Sequence, residues 1–205
     1  MTDERQRRFW NRFARRYAAR PIKDIAAYEA LLVDAASRLQ PTDRVLEIGC
    51  GTGGTAIRPA GGVRSWTATD FSCEMIGIAR GKPGPGNLHF VVTAADDDLD
   101  GGPFDAVCAF NVLHLVKDIR ATLPHLHCQL KPGGLLISKT WCFADLPLAL
   151  RALFAGLRTF GLFPTAASLT GEQLRCAIRE TGFAIEDERV FGSRLQNAYI
   201  VARRT

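Results

Sequence analysis

The chain has 205 residues, 47% apolar and 23% charged, the balance of a globular protein with one well-buried domain rather than two. Its longest apolar runs, such as Leu135-Leu136-Ile137, are strand-sized, and Met1 to Arg20 has no apolar stretch of the kind that directs secretion, so a cytoplasmic protein without a membrane span is expected. The net charge of +5 sits in one place: residues 1–20 carry seven arginines against Asp3 and Glu4, while the remainder holds 19 basic and 19 acidic residues, which argues against a nucleic-acid-binding surface. The six cysteines have no C-x-x-C pair, and His125 and His127 lie two apart on a helix, so no metal site is expected.

In chain order, Phe9, Phe13 and Tyr17 recur at helical spacing with Trp10 beside them and arginines around them, which predicts an amphipathic helix. Its aromatic stripe suits packing on the rest of the protein, and its arginines leave peripheral membrane contact as another reading. Beyond it, apolar strand runs alternate with helical periodicity, the pattern of a parallel βαβ sheet. Strands are predicted at Arg44–Ile48, Ser65–Thr69, Leu88–Val92, Asp105–Phe110 and Leu135–Lys139, with a closing pair at Phe183–Phe191 and Ala198–Ala202. Helices are predicted at Ile25–Arg38, Thr52–Arg58, Ser72–Arg80, Asp118–Gln129, Leu146–Phe160 and Gly171–Thr181, with Ser72 and Thr170 as N-caps.

The most informative segment is Val45-Leu46-Glu47-Ile48-Gly49-Cys50-Gly51-Thr52-Gly53-Gly54, an apolar strand that runs into a glycine turn. Glycines there permit positive φ, let a ligand approach the backbone, and leave N–H groups free for an anion. Gly49-x-Gly51-x-x-Gly54 fits a dinucleotide fingerprint, and Gly49-x-Gly51-x-Gly53 fits that of S-adenosylmethionine (AdoMet) binders. Glu47 separates them, because a carboxylate two residues before the first glycine is a poor neighbour for a pyrophosphate. It can hold the turn or receive a ligand ammonium. An NAD(P)-dependent oxidoreductase is therefore the weaker reading.

With its later landmarks, the chain resembles the class I AdoMet-dependent methyltransferases over roughly residues 9–204. The resemblance implies a doubly wound α/β sheet of order 3-2-1-4-5-7-6 with an antiparallel seventh strand. It implies AdoMet as cofactor, with Glu47, Gly49, Cys50, Gly51 and Gly53 around its methionine end. Asp70 closes strand 2 in Thr67-Ala68-Thr69-Asp70-Phe71-Ser72, where an acid can accept both ribose hydroxyls or stabilise the following helix; Phe71 and Met75 adjoin it, and Met75 can cover the adenine. In Ala94-Ala95-Asp96-Asp97-Asp98 the family's adenine-binding acid aligns with Ala95, which passes the role to Asp96 one residue on; a solvated acidic loop is the other reading. Asn111 and Val112 fall at the end of strand 4, the methyl-transfer position, and His114 follows as candidate general base or as a structural histidine. Leu130-Lys131-Pro132-Gly133-Gly134 resembles the family's turn into strand 5.

Related small-molecule enzymes carry a segment like Phe9-Trp10-x-x-x-Ala14-x-x-Tyr17 as a lid, which implies that Tyr17 reaches the methionine end and that residues 1–38 form a helical cover. Residues 39–140 then form the cofactor-binding core, and 141–205 the acceptor-side helices and last hairpin of a single domain. Trp10, His114 and Trp141 are candidate acceptor contacts, and the aromatic stretch after strand 5 suits an apolar or planar small molecule. A non-catalytic AdoMet-binding or membrane-associated module is the alternative.

Overall fold

A computed structural model describes residues 3–164, 166–192 and 197–205. The order of elements is α1 (Asp3–Ala18), α2 (Ile25–Ser37), β1 (Arg44–Ile48), β2 (Ser65–Asp70), α3 (Cys73–Arg80), β3 (Leu88–Val92) and β4 (Phe104–Phe110), then α4 (Ile119–Gln129), β5 (Leu130–Trp141), α5 (Leu148–Thr159), α6 (Gly171–Glu180), β6 (Phe183–Val190) and β7 (Asn197–Arg204). The strands form one sheet of order β3-β2-β1-β4-β5-β7-β6, as expected, with β1 to β5 parallel and β7 antiparallel to both neighbours.

β1 is buried on both faces, so it reads as a continuous apolar run, yet its side chains still alternate. Val45 joins the core under α2 with Trp66, Cys108, Ile137 and Tyr199, whereas Leu46 and Ile48 join the opposite core with Leu123, Leu126, Leu174 and Ile178. The α2 side is tied to the last hairpin by polar contacts. Asp34 of α2 accepts hydrogen bonds from Tyr199 Oη and Arg189 Nη1, both at 2.7 Å, and Arg38 pairs with Asp187. These contacts hold the C-terminal part of α2 against β6 and β7.

Local signals account for most boundaries. Ser72 caps α3 by accepting from Met75 N at 3.2 Å, and Thr170 caps α6 in a reciprocal pair with Gln173, a device worth about 1 kcal/mol. Two expectations need correction. Thr52–Arg58 is not an α-helix but a series of turns ending in a 3₁₀ turn at Pro59–Gly62, because Gly53 and Gly54 disfavour helix and Pro59 supplies no N–H. The Lys131–Gly134 segment is not a turn ahead of β5 but a looped insertion within it: pairing with β4 steps from Phe104↔Leu130 to Ala106↔Leu135. Among the described residues, no helix is long and apolar enough to cross a membrane.

Candidate functional site

At the carboxyl edge of β1, Gly49, Gly51 and Gly53 all take positive φ, at 62°, 54° and 76°. Their surroundings differ. A Cβ on Gly49 would fall 2.3 Å from Val112 Cγ2, and one on Gly53 would fall 2.7 Å from Phe90 Cζ, so these two glycines permit close packing. A Cβ on Gly51 would meet only Tyr17, at 3.8 Å, so Gly51 is where the turn opens to a ligand. Cys50 N donates to Thr69 O at 2.8 Å, which ties the turn to β2.

Two carboxylates support this turn in different ways. Glu47 is buried beneath it and accepts from Thr55 Oγ1 and, at 3.1 Å, from Trp66 Nε1. Burial raises its pKa to about 7 despite both hydrogen bonds. Of the two roles left open, Glu47 thus fills that of holding the turn, and it does not line the cleft. Asp70 does line the cleft. Its Oδ2 accepts from Gly51 N and its Oδ1 from Ser72 N, each at 2.9 Å. Burial raises its pKa while the two backbone donors oppose the rise. Each oxygen retains acceptor capacity, as vicinal hydroxyls require.

The cleft has a volume of about 1260 Å³ and runs along the carboxyl edge of the sheet. At one end lie Phe71, Met75 and the Thr93–Asp96 loop. There Asp97 is engaged by Thr93 Oγ1 at 3.1 Å and Ala94 N at 2.9 Å, which leaves exposed Asp96 at the cleft wall beside Ala95. In the middle, Asn111 and Val112 border the cleft. Asn111 has φ 57°, rare for a residue other than glycine, and its N–H donates to Lys139 O at 2.7 Å. Lys139 of β5, Asn197 of β7 and Phe191 also line the cleft, and Tyr28 lines it beside the glycine turn. The helix α1 crosses above, with Trp10 and Tyr17 facing the cleft.

The structure brings Tyr17, Gly49, Cys50, Gly51, Asp70, Phe71, Met75, Asp96, Asn111, Val112 and Trp10 to one cleft. His114 and Trp141 are placed elsewhere. The His114 ring is buried, 5.5 Å from Phe143, and burial with the nearby Arg158 charge lowers its pKa to about 4. Trp141 stacks within 4.3 Å of Phe143 in a cluster with Phe154 and Phe163. The aromatic stretch after β5 therefore packs on itself, and its segment reaches the cleft through Ala166 and Ala167.

Several cleft residues were not legible from motifs. Lys82 donates to Thr52 O and Oγ1, at 2.6 and 3.1 Å, and Tyr28 Oη donates to Gly54 O at 2.7 Å; both brace the glycine turn. Lys139 had a usable signal: it lies near the end of β5, level with Phe110, the last residue of β4, which is its register partner.

A doubly wound sheet with a reversed last hairpin and an open glycine turn at β1 defines a Rossmann-like nucleotide-cofactor fold. Residues 7–188 match the family model described as a methyltransferase domain, and the chain belongs to this family, the class I AdoMet-dependent methyltransferases. AdoMet is its cofactor, and the open Gly51 backbone and the spare acceptors of Asp70 fit it. Among curated relatives, polyketide synthase PksR of Bacillus subtilis is 37% identical over 108 residues, 46% of this chain but 4% of that protein. Highly reducing polyketide synthase 40 of Fusarium mangiferae is 35% identical over 114 residues, 51% of this chain and again 4% of the relative. The chain thus matches a small part of these long proteins. Among solved structures, a chain of the complex between the Haloferax volcanii Trm112 methyltransferase activator and a methyltransferase superposes with a TM-score of 0.76 at 17% identity, covering 97% of this chain and 96% of that one.

Proposed function

We propose that this chain transfers the AdoMet methyl group to a small molecule with a planar, largely apolar body. The observation that carries this reading is the size and course of the cleft. At about 1260 Å³ it exceeds the roughly 300–1000 Å³ of sites for a single drug-sized ligand, so space remains beyond the cofactor. In this reading that space is bordered by Lys139 of β5, Asn197 of β7 and Phe191, all of which line the cleft. Aromatic side chains in that lining, Tyr28 and Phe191, suit a guest with an aromatic body.

In this reading Asp70 holds the ribose, Met75 covers the adenine, and Asp96 receives the exocyclic amine. The Gly49–Gly51 backbone and Tyr17 hold the methionine end. Asn111 and Val112 border the transfer point. Bound AdoMet supplies a methyl group on a sulfonium, already activated for in-line displacement. The protein's share is alignment and exclusion of water, with α1 acting as the lid in this reading. His114 enters this scheme as a support for the loop after β4, since its ring faces Phe143 rather than the cleft.

Calorimetry with AdoMet and S-adenosylhomocysteine (SAH), followed by a turnover assay on naphthols, phenols and aryl carboxylates beside bulk tRNA and protein, tests the proposal. Micromolar cofactor binding and methylation of a planar small molecule are expected. Methylation of tRNA or protein alone would overturn the acceptor class.

A further inference from the structure

Of the lysines that line the cleft, Lys23 and Lys117 are exposed, whereas Lys82 and Lys139 are partly buried. Lys82 is satisfied by two oxygens of Thr52, and Lys131 by Asp105 at 2.6 Å. Lys139 is half-buried at the end of β5, on the α2 side of the sheet, between its register partners Phe110 and Tyr199. It lines the cleft, yet among the described residues its Nζ makes no hydrogen bond and no ion pair. Asp24 supplies an opposing charge nearby, but Asp24 Oδ1 is occupied as the cap of α2, accepting from Ala27 N at 3.0 Å. Burial lowers the lysine's pKa, the mark of an ammonium short of solvent.

A cation in this position is incomplete: part of its hydration is removed and, among the described residues, no acceptor within hydrogen-bond reach replaces it. An incoming anionic oxygen would complete it with a charge-assisted hydrogen bond, about twice as strong as a neutral one. The placement is also specific. The carbonyl of Lys139 accepts from the N–H of Asn111, the residue at the methyl-transfer point, so the ammonium is anchored by the same strand end that borders the reaction.

We infer that Lys139 is a specificity-determining residue of the acceptor end, and that it selects planar acceptors bearing a carboxylate over their neutral analogues. This rests on reading the space bordered by Lys139, Asn197 and Phe191 as the acceptor chamber. Tyr28 and Phe191 would hold the flat body while Lys139 holds the acid, so that charge sets orientation and the rings set shape.

The test uses benzoate, 2-naphthoate and 4-hydroxybenzoate, each beside its amide, titrated by calorimetry into SAH-saturated protein. In the wild type at least one acid is expected to bind about tenfold more tightly than its amide, a difference of about 1.4 kcal/mol. In Lys139→Met the preference should fall to about twofold or less, with the amide's affinity unchanged. Lys139→Arg should retain part of it. Unchanged SAH affinity in both variants reports an intact fold. No acid binding more tightly than its amide, or a preference that survives in Lys139→Met, overturns the inference. If amides and acids bind alike, only the role of Lys139 falls. If neither binds to the SAH-loaded protein, the acceptor chamber falls with it.

Discussion

Glu47 and Trp66 meet inside the sheet, where Glu47 Oε2 accepts the indole Nε1–H at 3.1 Å directly beneath the glycine turn. Burial raises the carboxyl from its ordinary 4.5 to about 7. The folded state therefore holds a proton that the unfolded chain releases between these values. The stability this contributes is complete below pH 4.5 and is lost as pH rises through about 7, by ~3 kcal/mol at most. Glu47→Gln keeps an acceptor for Trp66 and presents an amide to Thr55, whose hydroxyl can turn to accept. Relative to the wild type, this variant should gain stability progressively as pH rises from 4.5 to 7. Urea denaturation at half-unit pH steps reads it directly, and an unaltered profile would contradict the buried, proton-holding carboxyl.

His114 should produce the opposite slope. Burial lowers its pKa from 6.5 to about 4, so the unfolded chain takes up a proton that the folded state refuses. Its contribution is complete above pH 6.5 and is lost as pH falls through about 4. In the wild type these two slopes offset each other near pH 5 to 6. His114→Phe should unmask the Glu47 decline, and Glu47→Gln should unmask the His114 rise. With its ring against Phe143 and its Nδ1 buried without a partner among the described residues, His114→Phe should also keep AdoMet affinity and most turnover. A collapse of turnover with affinity and fold intact would restore His114 as a base.

Gly49 and Gly51 share a left-handed backbone but not an environment, which separates two costs. Gly51→Ala should cost about 1–2 kcal/mol of backbone strain, since only Tyr17 at 3.8 Å lies near the new methyl. Gly49→Ala adds a collision with Val112 at 2.3 Å and should be markedly less stable. Chemical denaturation of both variants checks the order. Equal stability would mean that Val112 yields freely.

Several strands were legible from their own punctuation, Gly49 after β1, Ser72 after β2, Gly133 and Gly134 within β5, while their order in the sheet was what the methyltransferase resemblance implied. The nucleotide end of the cleft was legible for the same reason, since its residues sit next to those signals in the chain. The wall of the cleft proposed to take the acceptor was not. Tyr28, Lys139 and Phe191 come from α2, β5 and the segment after β6, and only the sheet order brings them together. Trp141 misled because the phenylalanines that follow it in the chain fold back onto its ring. Lys139 faces the cleft, while the Trp141 ring turns to Phe143 and Phe154. Thr52–Arg58 misled because a glycine turn and a proline left too little chain for a regular helix.

Asp70 joins β2 to the turn through Gly51 N and caps the entry to α3 through Ser72 N. Asp70→Asn retains one acceptor oxygen and the side-chain shape but loses the charge. It should weaken AdoMet binding by about 1.5–3 kcal/mol, the worth of hydrogen bonds to a charged acceptor. Thermal stability should fall as well, since an amide nitrogen cannot accept from a backbone N–H. Calorimetry that finds unchanged affinity in a folded variant would remove Asp70 from the ribose.

The helix α1 is fastened at both sides of the cleft. Asn11 Oδ1 accepts from Ser72 Oγ at 2.6 Å on the α3 side, and Gln6 Nε2 donates to Leu115 O at 3.5 Å on the β4 side. Between these points Trp10 and Tyr17 meet edge to face at 5.9 Å and face the cleft. Removing Met1–Arg20 leaves every strand and both main cores untouched, apart from Ala14, so the truncated chain should fold. As a lid, α1 makes the deletion weaken AdoMet binding and abolish turnover, because the Tyr17 contact and the exclusion of water are lost together. Tyr17→Phe should cost less, since only the hydroxyl goes. Asn11→Ala should leave the aromatic cover in place but loosen its fastening to Ser72, which raises the AdoMet dissociation rate with little change in association. A helix that merely packs predicts lower thermal stability with affinity preserved. A helix that meets membranes predicts binding of the intact chain to vesicles rich in anionic lipid, lost on deletion. Stopped-flow measurement of AdoMet release in the three variants, with vesicle sedimentation alongside, separates these outcomes. Undiminished affinity and turnover in the truncated protein would sink the lid.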